Sequence, residues 1–279
     1  MPVSPVDSNF RPKQRRIEPL VMRDNSNWQN GATDREEKSA LAKMTAGRIT
    51  VHSSMSFDEI DKTFGTKNRD QGYETLKARM DKGERSAEVL WRMAQFCHER
   101  SACLPKAQRL AAINDGLKYA EEGSQKDPNN FKVMKWLAVL TGQSTEYMAT
   151  KQKLECSKKF KELLDKAIGK EPKDTALLHL RGRFKFSVAS LTWVEKKLAA
   201  TFYQQPPSHS YEEANEDFLA AYKINPKWME NTIFIAKCYV ALKDKTNARK
   251  YLTELCEIEP YSDAEQEFLD DAKQMLNKL

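Results

Sequence analysis

A chain of 279 residues is long enough for one elongated repeat domain with a tail, or for two small domains. Its 31% charged residues and ten glycines suit helices that expose much surface, while 40% hydrophobic content still supports a core. No run approaches the ~18 apolar residues of a membrane span, and the first twenty residues lack a signal-peptide core, so a soluble intracellular chain is expected.

Residues 1–50 read as a disordered basic tail. Pro2, Pro5, Pro12 and Pro19 are scattered through them, and large apolar residues are too few for a core. Lys13, Arg15 and Arg16 form a small basic cluster that could attract an acidic polymer, with a solubilising leader as the plain alternative. Ser4-Pro5 is a candidate proline-directed phosphorylation site, and Asp34 to Lys43 a candidate transient helix.

Residues 51–279 read as an all-α repeat domain. Ser56-Phe-Asp-Glu59 has the spacing of a capping box, followed by the stripe Phe57, Ile60 and Phe64. Gly65 to Asn68 is a predicted turn, and Tyr73, Leu76 and Met80 form a second stripe. Helices are predicted over Val89–His98, Leu104–Glu122 and Phe131–Leu140, with Trp136 buried. A Lys-rich helix follows over Thr145–Ile168, then a long one from Thr175 to about Phe202. Tyr203–Ser210, with Pro206-Pro207, is a loop, and Tyr211–Ile224 the next helix. Met229–Ile258 divides into two helices at Asp244-Lys-Thr-Asn. Asp263–Leu279 is a capping helix with Phe268, Ala272, Met275 and Leu279 inward and an acidic outer face.

Four second helices share one register ahead of a proline. Ala248, Leu252 and Leu255 precede Pro260; Ala214, Phe218 and Ala221 precede Pro226 at the same offsets. Phe160, Leu164 and Ala167 precede Pro172; Gly116, Ala120 and Gly123 precede Pro128. The matching first helices carry Ala94, Ala138, Gly182 and Ala236 where helices should approach most closely. This is the pattern of tetratricopeptide repeats, here with unequal, extended helices, so the expected fold is an α-solenoid of tetratricopeptide-like hairpins with a C-terminal cap.

No catalytic signature is found: G-x-S-x-G, the phosphate-loop pattern and G-x-G-x-x-G are absent. His52, His98, His179 and His209 are scattered, none at H-x-x-x-H spacing, so no metal and no cofactor are expected. Cys97 and His98 are adjacent and point to different helix faces, which argues against a nucleophile pair. The five cysteines, without CxxC, read as reduced thiols packed in helices. The Lys/Asn clamp of chaperone-tail adaptors needs polar inner residues where this chain has Trp91, Gln95, Trp136 and Leu180.

Several stretches go beyond a generic repeat: Leu90-Trp-Arg-Met-Ala94, Gly142-Gln143, Phe160-Lys161, Ser190-Leu-Thr-Trp-Val-Glu-Lys-Lys197 and Ile235-Ala-Lys-Cys-Tyr239. Together, over about residues 57–260, they resemble the regulator of microtubule dynamics family. The resemblance implies a non-enzymatic protein of the cytoplasm and cytoskeleton. It implies microtubules as partner and a role at the mitotic spindle, its poles and in chromosome segregation. Some relatives are implied to be membrane-anchored, with a repeat domain that binds lipid at organelle contacts; this N-terminus shows no such hydrophobic segment. Trp193 is expected to wedge between helices, in keeping with a structural role.

The net charge of +6 divides as +3 over residues 1–50, +2 over 51–140, +6 over 141–201 and −5 over 202–279. A basic centre favours an acidic partner, with solvation of helix faces as the alternative. The candidate contacts are Lys151, Lys153, Lys158, Lys159, Lys161 and Lys166 on one helix, joined by Lys196 and Lys197. Lys151, Lys158 and Lys166 fall near one line, with Glu155 and Glu162 interrupting the flank. Two other readings stay open: a scaffold whose concave groove takes a helix or peptide, and a lipid cavity lined by Trp136, Phe184, Phe186 and Trp193. No nucleic-acid recognition motif is present, and no nucleic-acid partner is expected.

Overall fold

Twelve α-helices and no strand occur among the described residues, 55–203 and 207–279 of the computed structural model. The tail residues Lys13, Arg15, Arg16 and Ser4-Pro5 lie outside them, as do the helix expected over Asp34–Lys43 and Pro206. The helices are α1 Phe57–Asp61, α2 Arg69–Asp81, α3 Ala87–Ala102, α4 Lys106–Lys126, α5 Phe131–Ser144 and α6 Thr150–Lys170. They continue as α7 Thr175–Ala189, α8 Trp193–Ala199, α9 Tyr211–Ile224, α10 Met229–Ala241, α11 Lys245–Cys256 and α12 Asp263–Lys278.

The proline punctuation has a local cause. A residue before proline is pushed out of helical backbone. Asp127, Glu171 and Asn225 take φ of −143° to −134° and ψ of 82–85°, closing α4, α6 and α9 immediately ahead of Pro128, Pro172 and Pro226. Side chains then start two of the next helices, α5 and α7. Asn130 Oδ1 accepts from Lys132 N at 3.0 Å, and Asp174 Oδ1 from Ala176 N at 3.0 Å. The fourth end differs: α11 stops at Cys256, short of Pro260, with Glu257 still helical in backbone.

The shared register is the packing register. Each small or apolar residue at the repeat offsets, from Gly116 to Leu255, is buried. So are Ala94, Ala138, Gly182 and Ala236. First helices α3, α5, α7 and α10 pair with α4, α6, α9 and α11, and also touch one another in sequence. This is an all-α, tetratricopeptide-like solenoid. Gly182 illustrates the close approach: a Cβ there would lie 2.7 Å from Phe218 Cε1. Helix α12 buries Leu269 and Ala272, with Phe268, Met275, Leu276 and Leu279 packed against the same core.

Two predicted helices are broken. The one expected over Thr145–Ile168 begins as a short 3-10 turn, Thr145–Tyr147, before α6 starts at Thr150. Ser144 and Thr145 turn their hydroxyls onto Thr141 O at 2.8 Å and Gly142 O at 2.6 Å, competing with the helical ladder. The one expected over Thr175–Phe202 stops at Ala189, because Thr192 starts a new helix with its own capping box. Glu195 N donates to Thr192 Oγ1 at 3.3 Å, and Thr192 N to Glu195 Oε2 at 2.8 Å. Trp193 is therefore a first-turn residue of α8, 69% exposed, and not a wedge between helices. The break turns it outward while Ala199 faces in.

The C-terminal cap also returns to the first repeats. Arg109 on α4, itself buried, donates to both carboxylate oxygens of Glu267 on α12 at 2.9 and 3.0 Å. Tyr261 donates to Thr66 O at 2.6 Å and accepts from Arg69. These contacts span 158 to 195 residues of sequence.

Gly182→Ala is expected to lower stability by about 1–3 kcal/mol, since the buried Phe218 ring must move. Gly169→Ala, where a Cβ meets nothing within 4 Å, is expected to raise it by up to ~1 kcal/mol through helix propensity. Urea denaturation checks the pair, and equal effects would remove close approach as the cause. Arg109→Ala should cost about 1–3 kcal/mol by leaving the Glu267 bonds unmade. Amide exchange should then accelerate in α12 before α11; unchanged protection of α12 would show that the return contact does not hold the cap.

Candidate functional site

The inner wall of the solenoid is largely filled by its own side chains. Phe64 meets Trp136 at 6.1 Å between ring centroids, Trp136 meets His98 at 5.5 Å, and His179 meets Trp228 at 4.3 Å. Trp91, Trp136 and Leu180, expected at inner positions, are buried. Most polar groups among them have partners within the wall. His98 Nδ1 lies 2.9 Å from Gln143 Oε1, and burial pushes its pKa down. His179 is buried as an inner residue, but only half satisfied: its Nδ1 lies 3.0 Å from Asn231 Oδ1, while its Nε2 makes no hydrogen bond and lies 3.5 Å from Glu230 Oε1.

A charged cluster crosses this wall. Arg183 donates to Glu230 and to Glu146, each at 2.6 Å. Burial opposes the charge of Arg183, but the two carboxylates outweigh it and raise its pKa. Burial likewise opposes ionisation of Glu230, but His179 and Arg183 outweigh it and hold the carboxyl well below the usual range. Arg183 bridges both carboxylates, so each charge of the cluster has a partner within it. Cys97 and His98 do not cooperate either. The Cys97 thiol is pushed up to about 12 by burial, and it packs against Gly116, where a Cβ would be 2.8 Å from its own.

What the wall leaves open is a cavity of about 730 Å³ where α6, α7 and α8 meet the 3-10 turn and residues 207–209. Its floor is apolar, from Leu154, Phe160, Leu180, Phe184, Val188 and Phe234. Its rim is polar, with Lys153, Arg183, Ser187, Lys196 and His209. Ser157 Oγ and Tyr203 Oη share a hydrogen bond of 2.6 Å at its edge, and burial raises the Tyr203 pKa. Of the four aromatics expected to line a lipid cavity, Phe184 and Phe186 do so. Trp136 instead packs in the core, and Trp193 faces solvent. The volume lies within the ~300–1,000 Å³ typical of small-molecule sites. Leu154, Ser157 and Phe160 share a helix face with Lys153, a signal readable from spacing. Tyr203 carries no such signal.

The candidate lysines divide. Lys151, Lys158, Lys159 and Lys166 are exposed on α6 within an arc of about 100°. Lys153 is on the opposite side, half-buried at the cavity rim. Acids interleave with the exposed set: Lys151 meets Glu155 at 3.9 Å, Lys159 meets Glu121 at 4.0 Å, and Lys161 meets Asp165 at 2.6 Å. Among the described residues, Lys158 and Lys166 make no such pair. Lys196 and Lys197 belong to α8, with Lys197 Nζ 3.8 Å from the centroid of the Trp193 ring.

The family described as Regulator of microtubule dynamics protein 1-3 matches residues 56–279. Regulator of microtubule dynamics protein 1 of Caenorhabditis elegans is 37% identical over 223 residues, 80% of this chain and 99% of that protein. Protein 2 of Homo sapiens is 32% identical over 66% of this chain and 45% of its own length. Protein 3 of Xenopus laevis is 30% identical over 68% of this chain and 41% of its own length. The chain thus spans less than half of those two vertebrate relatives. A thermophilic tetratricopeptide-repeat protein of Thermus thermophilus superposes with a TM-score of 0.49 at 12% identity, over 74% of this chain and 91% of that one. With the match running from the capping box of α1 to the last residue of the C-terminal cap, the chain belongs to the regulator of microtubule dynamics family.

Proposed function

We propose that this chain is a non-enzymatic microtubule-associated regulator of the cytoplasm and cytoskeleton. It acts on spindle microtubules and spindle poles during chromosome segregation. Family membership over residues 56–279 carries the reading. The exposed basic face of α6, within a segment of net charge +6, supports it by complementing the acidic surface and tails of tubulin. Each exposed pair contributes only ~0.2–1 kcal/mol, so affinity comes from many exchangeable contacts along a polymer. Lys158 and Lys166, without acidic partners among the described residues, are the most available cations of this face.

Co-sedimentation with stabilised microtubules across a salt series, with residues 1–50 present or deleted, tests this reading. Pelleting should fall steeply with salt and persist without the tail. Lys158→Glu combined with Lys166→Glu should lower affinity by roughly three- to tenfold. Loss on tail deletion would move the contact to Lys13, Arg15 and Arg16. No pelleting at low salt would rule out direct binding.

The cavity favours a second reading, a site for an amphipathic ligand such as a lipid. An apolar floor would take acyl carbons, and Lys153, Lys196 and Arg183 at the rim would face a polar head. Organic extraction of the purified chain, followed by mass spectrometry, should then recover acyl lipid. Ser187→Phe, which fills the cavity from α7, should reduce the yield at unchanged helix content. Equal recovery from both proteins would remove the cavity as the site.

A further inference from the structure

Helix α8 presents an outer face unlike any other in the described chain. Trp193 and Val194 are 69% and 67% exposed, above every other large apolar side chain described. At ~100° per residue, Lys196, Trp193, Lys197 and Val194 follow one another around a single arc. Lys197 already leans over the indole, 3.8 Å from its centroid. The opposite arc is committed inward, with Ala199 buried.

The only acid of this helix is absent from its outer face. Glu195 folds back to the helix start, accepting from Thr192 N at 2.8 Å and from Thr192 Oγ1 at 2.7 Å. Lys153 of the neighbouring α6 is close enough to act on the Glu195 charge. The result is an apolar tip flanked on its own arc by Lys196 and Lys197, with no carboxylate of α8 on that arc. On α6, by contrast, acids alternate with lysines.

We propose that the outer face of α8 docks this chain on an anionic lipid surface. Trp193 and Val194 enter the boundary between headgroups and acyl chains, where indole rings are favoured. Lys196 and Lys197 meet the phosphates and carboxylates of the headgroups, their stems covering apolar surface while their ammonium groups stay in water. A folded protein partner suits the patch less well. A stable interface buries ~800 Å² on each side around an apolar core, far more than two adjacent side chains on a seven-residue helix offer. A fluid surface needs no such complementarity, and an apolar tip joined to a basic cluster supplies the two weak signals that reversible peripheral binding requires. No helix among the described residues is long and apolar enough to cross a membrane, so this contact is peripheral. Lys196 also borders the cavity, whereas Trp193, Val194 and Lys197 do not line it, and the contact depends neither on microtubule binding nor on an occupied cavity.

Flotation of the full chain with vesicles of phosphatidylcholine alone, or in equal mixture with phosphatidylserine, tests the proposal. Flotation is expected only with phosphatidylserine present. Lys196→Gln with Lys197→Gln should lower partitioning by roughly thirtyfold. Trp193→Ala with Val194→Ser should lower it at least as far, with circular dichroism and melting temperature unchanged because both side chains are exposed. Trp193→Phe should retain part of it. No flotation with the mixed vesicles would overturn the proposal, as would flotation indifferent to both double variants, which would place binding elsewhere. If the same variants abolished microtubule pelleting and left flotation intact, the patch would be a protein contact and the lipid assignment wrong.

Discussion

The structure depends on how closely the two helices of a repeat can approach. Gly182 lies against the Phe218 ring and Gly142 against Phe160, at distances that leave no room for a Cβ. Ala94, Ala138, Ala236 and Ala248 mark the same crossings elsewhere, all fully buried. Close approach brings the first helices into contact with one another, because each hairpin is thin where it crosses. The inner wall follows from that contact. Long side chains on the first helices then meet across it, as Trp136 does with His98 and Phe64.

A filled inner wall changes what the fold can bind. An open repeat array offers its concave face to an extended peptide, whereas here aromatic contacts and the Arg183–Glu230–Glu146 cluster occupy that face. The cap reinforces this by returning to α4 and to the α1–α2 turn through Arg109 and Tyr261. These side chains are only partly buried, so their pairs add little net stability, but they tie α7 to α10 and to the 3-10 turn. An apolar-floored space of about 730 Å³ remains at the α6–α8 end.

The repeat core was legible because it obeys two local rules, helical spacing and the exclusion of helix before proline. Residues as far apart as Gly116 and Leu255 reach their buried places through those rules alone. The site was less legible. The break at Ser190–Thr192 is hidden by unbroken apolar content on either side, although the Thr192/Glu195 capping box is visible in retrospect. Size and apolarity argue for Trp193 wedged between helices, and only the break turns it outward. The inward position of Lys153 follows from helical arithmetic, but a Lys-rich run invites reading all its members as one flank. Nothing local announces Arg109–Glu267, since such pairs form only after the chain has curved back.

The two basic surfaces differ in availability rather than in number of charges. On α6, Lys151 and Lys161 lie near carboxylates one turn further on, so part of their field is spent within the helix. Such a surface favours a partner that brings many charges at once, because each contact must displace a weak internal one. On α8, helix capping removes the carboxylate and leaves the cations unopposed beside an exposed indole. The hydrogen bonds that start the helix thereby also set the sign of its outer face. The capping bonds that fix this local structure thus leave a basic surface beside an exposed indole on a helix of seven residues.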